Sequence, residues 1–389
     1  MKLVEVTDKS TRREFLEFPV RLYKNEKNWI RPLDQDIEAV FDPKKNPNFE
    51  NGEAIRWLLT NDQGETIGQV AAFINGSTKN SGDFPVGGMG FFECINDQQA
   101  ANTLFEACKT WLEARGVEAM DGPINFGERD KWWGLLAEGF TEPNYGMFYH
   151  MPYYQQLFEN YGFQIYFKQF TYWRSINEEV APFFRSRIEK SLAMPGYTFR
   201  HSDKNDLEKM AYDFYTVYSK AWASHTGISR MTMDKARKII KEMKPVLDDR
   251  LLWFGYYNQE PVAFFIMLPE LNQLFRHLNG KLDLAGKLKF LWYKWRLSGK
   301  SEYKKAFGII FGVVPEHQGK GVEMGMIGAT ERTLKGLHYT DLEMNWIGDF
   351  NPKMLTVMRI VGASVKKTHH TYRKLFDPNR PFERYPIIK

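Results

Sequence analysis

The chain has 389 residues, 43% of them hydrophobic and 26% charged, which fits two domains or one large composite and excludes a disordered, collagenous or disulfide-scaffold protein. Aromatic residues reach 15% (30 Phe, 19 Tyr, 11 Trp), more than packing alone requires, so some rings are expected to line a large apolar site. The net charge of +5 is concentrated in residues 281–305, which hold eight Lys or Arg against two acids; this points to a local anionic partner and away from a nucleic acid tracked over a whole face.

No apolar run approaches the ~18 residues that span a bilayer, and the N-terminal MKLVEVTDKSTRREF lacks the apolar stretch of a signal peptide. A cytoplasmic protein is expected. Its two cysteines, Cys94 and Cys108, are expected to be small packing residues.

In chain order, Val4 to Phe18 reads as a strand, a polar turn with Asp8 and a helix, and Tyr197 to Tyr215 repeats this with Asp203 at the turn. A hairpin follows each, turning at Asp62-Gln63-Gly64 and at Asn258-Gln259. Gly162 to Tyr172 and Gly362 to Tyr372 each follow a helical segment, share a Val or Ile three residues past the glycine, and end in Thr-Tyr. Each half thus reads strand, helices, hairpin, strand, helix, strand, helix, strand. The chain is expected to divide at 1–175 and 176–389 into two distant copies.

Residues 281–305 interrupt the second copy. Leu284, Leu288, Leu291, Trp292 and Trp295 recur at helical spacing among Lys287, Lys289, Lys294, Arg296 and Lys300, which predicts an amphipathic helix. Two roles stay open: peripheral contact at the inner face of a membrane, or a lid whose aromatics pack inward. Beyond it, Phe307 to Val314 is predicted as a buried strand, and Val322 to Leu337 as a helix with Val322, Met326, Thr330, Leu334 and Leu337 at helical spacing.

Between that strand and helix lies Val314-Pro-Glu-His-Gln-Gly319-Lys-Gly321-Val-Glu. A strand, a glycine turn and a helix N-terminus together bring backbone N–H groups and the positive end of a helix dipole around a phosphate. The stretch resembles the acyl-CoA pyrophosphate loop of the GNAT superfamily of N-acyltransferases. The resemblance implies an α/β fold with a mixed sheet, two GNAT-like units in tandem, and acetyl-CoA or a longer acyl-CoA held by Val313, Val314, Gln318, Gly319, Lys320, Gly321, Val322 and Asn351. Glu323 stands where the family usually has a third glycine. The first half resembles a unit at Leu157 to Phe163, but its corresponding turn runs through Glu93 and Asp97 into its helix. Those acids are expected to repel a diphosphate, leaving one CoA site per chain.

Acyl transfer to an amine needs a base, a polarised carbonyl and a proton for the departing thiolate. The resemblance implies a base on or after the strand that follows the loop's helix. Alternation there puts Asp341, Glu343 and Asn345 on one face, with Asp349 and Asn351 at the next turn. Asp349 is the first candidate base and Glu343 the second, each with a solvated surface carboxylate as its plainer reading; Asn351, before Pro352, also suits an N-cap. Many relatives place an acidic Tyr where this chain has Met358 and Phe158, which leaves Tyr372 or solvent as the acid. Trp222, His225 and Asn345 are candidate acceptor-binding residues; the aromatic-polar segments Tyr218 to Gly227 and Gly122 to Gly134 either shape the acceptor pocket or form packed helix–helix corners with aromatic staples. No His or Cys spacing suits a metal, and none is expected. The acceptor is expected to be a small-molecule or lipid-like amine held between the halves. An aminoacyl transferase of the Fem type and a non-catalytic CoA-binding or structural protein are the rival readings.

Overall fold

The computed structural model describes residues 1–221, 231–298, 300 and 303–388. The first half runs β1 (Lys2–Glu5), α1 (Lys9–Leu22), α2 (Asp34–Val40), β2 (Gly52–Thr60), β3 (Thr66–Asn75), β4 (Val86–Cys94), α3 (Gln98–Glu113), β5 (Ala119–Gly122), β6 (Leu135–Glu138), α4 (Tyr154–Tyr161) and β7 (Gln164–Ser175). Then come α5 (Pro182–Leu192), β8 (Tyr197–His201), α6 (Leu207–Ala221), α7 (Met233–Met243), β9 (Leu252–Tyr257), β10 (Glu260–Pro269), α8 (Asn272–Phe275), α9 (Leu284–Leu297), β11 (Lys305–Val313), α10 (Val322–Leu334), β12 (Asp341–Gly348), α11 (Pro352–Ile360) and β13 (Ser364–Leu375). The repeated order is present, with β6, α5, α8 and α9 as additions. Local chemistry sets its boundaries: Asp8 and Thr11 form a capping box on α1, and Asn258 and Gln259 both take the positive φ that a two-residue hairpin turn needs.

The strands form one sheet in the order β1-β2-β3-β4-β5-β13-β7-β12-β11-β10-β9-β8, with β6 beside β13. Its centre is an exchange. The last strand of the second half, β13, lies between β5 and β7, while β7, the last of the first half, lies between β13 and β12. Each half therefore completes its sheet with the other's final strand. The Gly162 and Gly362 echo marks these two strands, and both glycines take the left-handed conformation that ends a helix.

Alternation along the strands sorts the core. Ala72 and Phe92 pack with the residues of α3 and α4, whereas Ala71, Phe73 and Phe91 pack with those of α1 and α2. In the second half, Gly255 lies under Met326 of α10, and the ring of Phe264 stacks on Phe214 of α6. Followed across the rungs from Gly255 through Ala263, Met267, Gly308 and Met344, the α10 face reaches Tyr172. Glu343, one residue away, looks toward the α6 face.

The predicted amphipathic helix is α9, capped by Asp283, whose side chain accepts the Gly286 N–H at 2.8 Å. Its apolar stripe points outward. Leu284, Leu288, Leu291, Trp292 and Trp295 are exposed, Leu284 and Trp295 at 77% each, while Phe290 and Leu297 anchor the helix inward. An inward-packed lid does not describe this arrangement.

Candidate active site

β11 and β12 are parallel neighbours only from Lys305–Asp341 to Gly308–Met344, and then diverge. A bulge at Ile309 marks the point where β11 leaves register with β10. Past the opened strands, a 3-10 turn at Pro315–His317 leads to Gly319 and Gly321, with φ of 71° and 93°. Among the described residues no side chain caps α10 at Gly321, so the first-turn N–H groups keep their donors for a ligand. Space around Gly319 is open, whereas a Cβ on Gly321 would come within 2.7 Å of Ser191 Oγ.

The other loop residues shape the turn. Gln318 Nε2 donates to the Val313 carbonyl at 3.0 Å, the Val314 N–H donates to Val262 O at 2.8 Å, and Val322 is buried. Lys320 is exposed beside the glycines, and Glu323 is half-buried in the helix's first turn. His317 Nδ1 is 2.6 Å from Tyr197 Oη, which pins the turn to β8.

The first half shows why a similar outline can lack this site. There α3 is packed on α4: Phe105 sits against Phe158 and Phe163, Gln98 Nε2 donates to Leu157 O at 3.1 Å, and Tyr161 donates to Glu106 at 2.6 Å. Helices α10 and α11 are not packed together in this way. Asp97 also spends its side chain on capping α3, through the Ala100 N–H at 2.9 Å. The strand opening between β4 and β5 is filled by the following segment, whose Phe126, Trp132 and Phe148 are buried. Glu93 departs from its sequence expectation. It is buried, accepts Tyr23 and Tyr154 hydroxyls at 2.6 and 2.8 Å, and is pushed up to about 8 by burial, so it presents no surface charge to a diphosphate.

The candidate bases are both engaged. Asp349, at the end of β12, is held by Arg384 of the C-terminal segment at 2.5 Å. Glu343 is buried between Lys367 at 2.6 Å and Lys305 at 2.9 Å; burial alone would raise its pKa, and the two ammonium groups pull it below the ordinary carboxylate value. The Asn351 side chain caps α11 through the Met354 N–H at 3.2 Å. Tyr372 needs correction: because β13 is exchanged, its ring is wholly buried in the first half's core against Phe158, and its hydroxyl donates to Glu159 at 2.9 Å. Trp222 and His225 lie outside the described residues.

The same exchange brings in a tyrosine that reading each half separately missed. Tyr172 is the counterpart of Tyr372, and the shared Thr-Tyr was the signal. It pairs with Met344, the last β12 residue to face β11 before the strands part, and packs on the core cluster that includes Met358. It is only partly buried, and among the described residues its hydroxyl has no hydrogen-bond partner. Burial raises its pKa, with Arg359 opposing, so the phenol stays protonated at neutral pH.

On the opposite face, Asn345 Oδ1 accepts from Thr171 at 2.8 Å and from Asn144 at 3.2 Å. Two described stretches approach one another nearby, the end of α6 and the segment around Glu128 to Asp130. Tyr218 of α6 is pushed up to about 12 by burial and by the carboxylates of Glu128 and Asp130, and Trp346 Nε1 donates to Arg129 O at 2.8 Å. The cleft thus has a phenol on one face and an amide cluster on the other, with a phosphate-type loop at the end of β11.

This is the tandem GNAT fold. The structure superimposes on a tandem GNAT protein from the clavulanic acid biosynthesis pathway with a TM-score of 0.54 and 10% identity, covering 97% of this chain and 99% of that one. It also matches a fungal multi-domain β-N-acetylglucosaminidase with a GCN5-related glucosamine N-acetyltransferase region, with a TM-score of 0.56 and 12% identity over 96% of this chain; the match spans only 38% of that larger protein. In sequence, the chain is 28% identical to the bacterial ceramide synthase of Caulobacter vibrioides over 377 residues, 96% of this chain and 97% of that one. No protein-family profile matches the chain.

Proposed function

We propose that the protein is an acyl-CoA-dependent N-acyltransferase whose acceptor is a long-chain, lipid-like amine taken from an anionic membrane surface. The observation that carries this is the pairing of an open, glycine-gated cleft in the second half with the outward apolar stripe of α9. The whole-length likeness to a ceramide synthase adds the lipid acceptor, and the fold adds the acyl-CoA donor.

The residues present fit that donor. Amides from Gly319 to Val322 and the uncapped start of α10 would receive its phosphates, and the parted β11 and β12 would take its extended arm. When bound it supplies an activated thioester. Tyr172, on the α10 face, is placed to protonate the departing sulfur, while the amine enters from the Asn345 face. Tyr172→Phe is expected to lower kcat by about 10²- to 10⁴-fold, the usual worth of such a group. The loss should shrink with an aryl thioester, whose thiolate leaves without a proton, whereas Tyr372→Phe should leave that dependence as in the wild type. Equal loss with both donors would remove Tyr172 from the role.

No helix among the described residues is long and apolar enough to cross a membrane, so the contact proposed for α9 is peripheral. Lys287, Lys289 and Arg296 are exposed around the stripe, while Lys294 donates to Pro245 O at 2.7 Å. At ~1 kcal/mol per basic side chain near an anionic leaflet, these three cations and the exposed Lys300, together with the apolar stripe, support reversible binding. Acyl transfer to a long-chain amine in phosphatidylserine vesicles should release free CoA and form an amide. Co-sedimentation should weaken with salt and fail when these three residues are changed to Glu. No vesicle binding at low salt by the folded wild type would leave a soluble amine as acceptor; no transfer to any amine would overturn the enzymatic reading.

A further inference from the structure

Among the described residues, buried polar atoms without partners occur where the halves meet: Glu270 Oε2, Asn144 Oδ1 and Asn345 Nδ2. They are joined by one loop of the first half. The Tyr145 N–H donates to Glu270 Oε1 at 2.9 Å, an oxygen that also accepts the Asn272 N–H at 2.9 Å. The preceding residue, Asn144, gives its amide to Asn345. Glu270 directly follows β10 and is 2% exposed. Asn345 is the first β12 residue beyond the last rung shared with β11, and it is only partly buried. Asn345 thus stands where the strands part and Glu270 inside the protein, with Asn144 and Tyr145 bonded to one each. Leaving each one dry and unpaired carries a full desolvation penalty, so a guest molecule is expected among them.

We infer that Glu270 is the proton acceptor for the attacking amine, reached across a water held by Asn144 Oδ1 and Asn345 Nδ2. This rests on the acyl-transfer reading above. The amine nitrogen's lone pair forms the bond to the thioester carbon and the C–S bond breaks with its electron pair going to sulfur. The ammonium proton passes through the water to Glu270, and sulfur takes a proton from Tyr172. Glu270 later returns its proton to solvent, and the Tyr172 phenolate takes one from solvent, which restores both groups.

The charges around Glu270 agree with this role. Lys305 of β11, Glu343 of β12 and Lys367 of β13 surround it, with the phenol of Tyr303 nearby. Glu343 already takes both lysines, at 2.6 and 2.9 Å. Glu270 has no ion pair within that cluster, and burial pushes it up to about 7, which suits a base that works near neutrality.

The test is the ratio of wild-type to Glu270→Gln kcat/KM across pH 5.5 to 8.5, because the amine's own ionisation cancels in it. Glutamine keeps an oxygen for the two backbone N–H groups. The ratio should climb about tenfold per pH unit at low pH and level off, after a bend near 7, at about 10²- to 10⁴-fold, with acyl-CoA affinity unchanged. A ratio that is flat across this range in an active wild type would overturn the assignment and leave the acyl-transfer reading standing. A wild type that transfers to no amine would overturn both. Should Glu270→Gln fail to fold, Asn144→Ala removes one ligand of the water and should lower kcat at least tenfold while keeping the wild-type bend; an undiminished kcat would overturn the proposal.

Discussion

Replacing Gly319 and Gly321 together by valine is expected to weaken acyl-CoA binding by about 10²- to 10⁴-fold, the loss of two hydrogen bonds to a charged phosphate at roughly 1.5–3 kcal/mol each. The left-handed φ of both residues costs a side chain about 1–2 kcal/mol, so the valine variant would turn these amides away from the cleft. The fold should survive, since Gly319 has open space around it and the one tight approach to a Cβ on Gly321 is the Ser191 hydroxyl at 2.7 Å, a side-chain end that can turn away. Titration calorimetry should give one site per wild-type chain, because packing of α3 on α4 closes the first half. Unchanged affinity in the folded double variant would place CoA elsewhere, and two sites per chain would refute a closed first half.

What could be read from the sequence was what neighbours in sequence decide. The capping Asp8, the paired positive-φ residues Asn258 and Gln259, and the strand–glycine–helix order around Gly319 are local signals, and the structure has each of them. The apolar spacing of α9 was local too, yet its outward direction depends on what covers it, which spacing does not report. Strand partners are decided by packing across the whole chain. The Thr-Tyr echo singles out β7 and β13 without revealing that they trade places, so the sequence sets Tyr372 in the second half, where the structure has Tyr172. Charge reads the same way: Glu93 counts as an anion by composition, but burial beneath two tyrosines changes its state. Glu270 and Asn144 lie far apart in the chain, and only the meeting of the halves gives them a common site.

Lys367→Met is expected to destabilise the protein by about 3–5 kcal/mol, the cost of removing one partner from a buried ion pair. Lys367 and Glu343 are 2% and 1% exposed in their side chains, and Lys305 alone would then balance the carboxylate. The double variant Lys367→Met, Glu343→Met should recover most of the loss, because replacing a whole buried pair by apolar groups of similar volume is near neutral. Acid unfolding gives an independent sign. The folded pKa of Glu343 is depressed below its model-peptide value of 4.5, so its contribution is complete above that value and is lost as pH falls through the folded value. In Lys367→Met the folded value rises, the loss begins at higher pH, and the acid midpoint moves up. Because Lys367 comes from β13 and Glu343 from β12, with β7 running between them, this pair ties the exchanged strand β13 to β12 across β7. A Lys367→Met protein as stable as the wild type would show that the central strand pairing holds the halves without it.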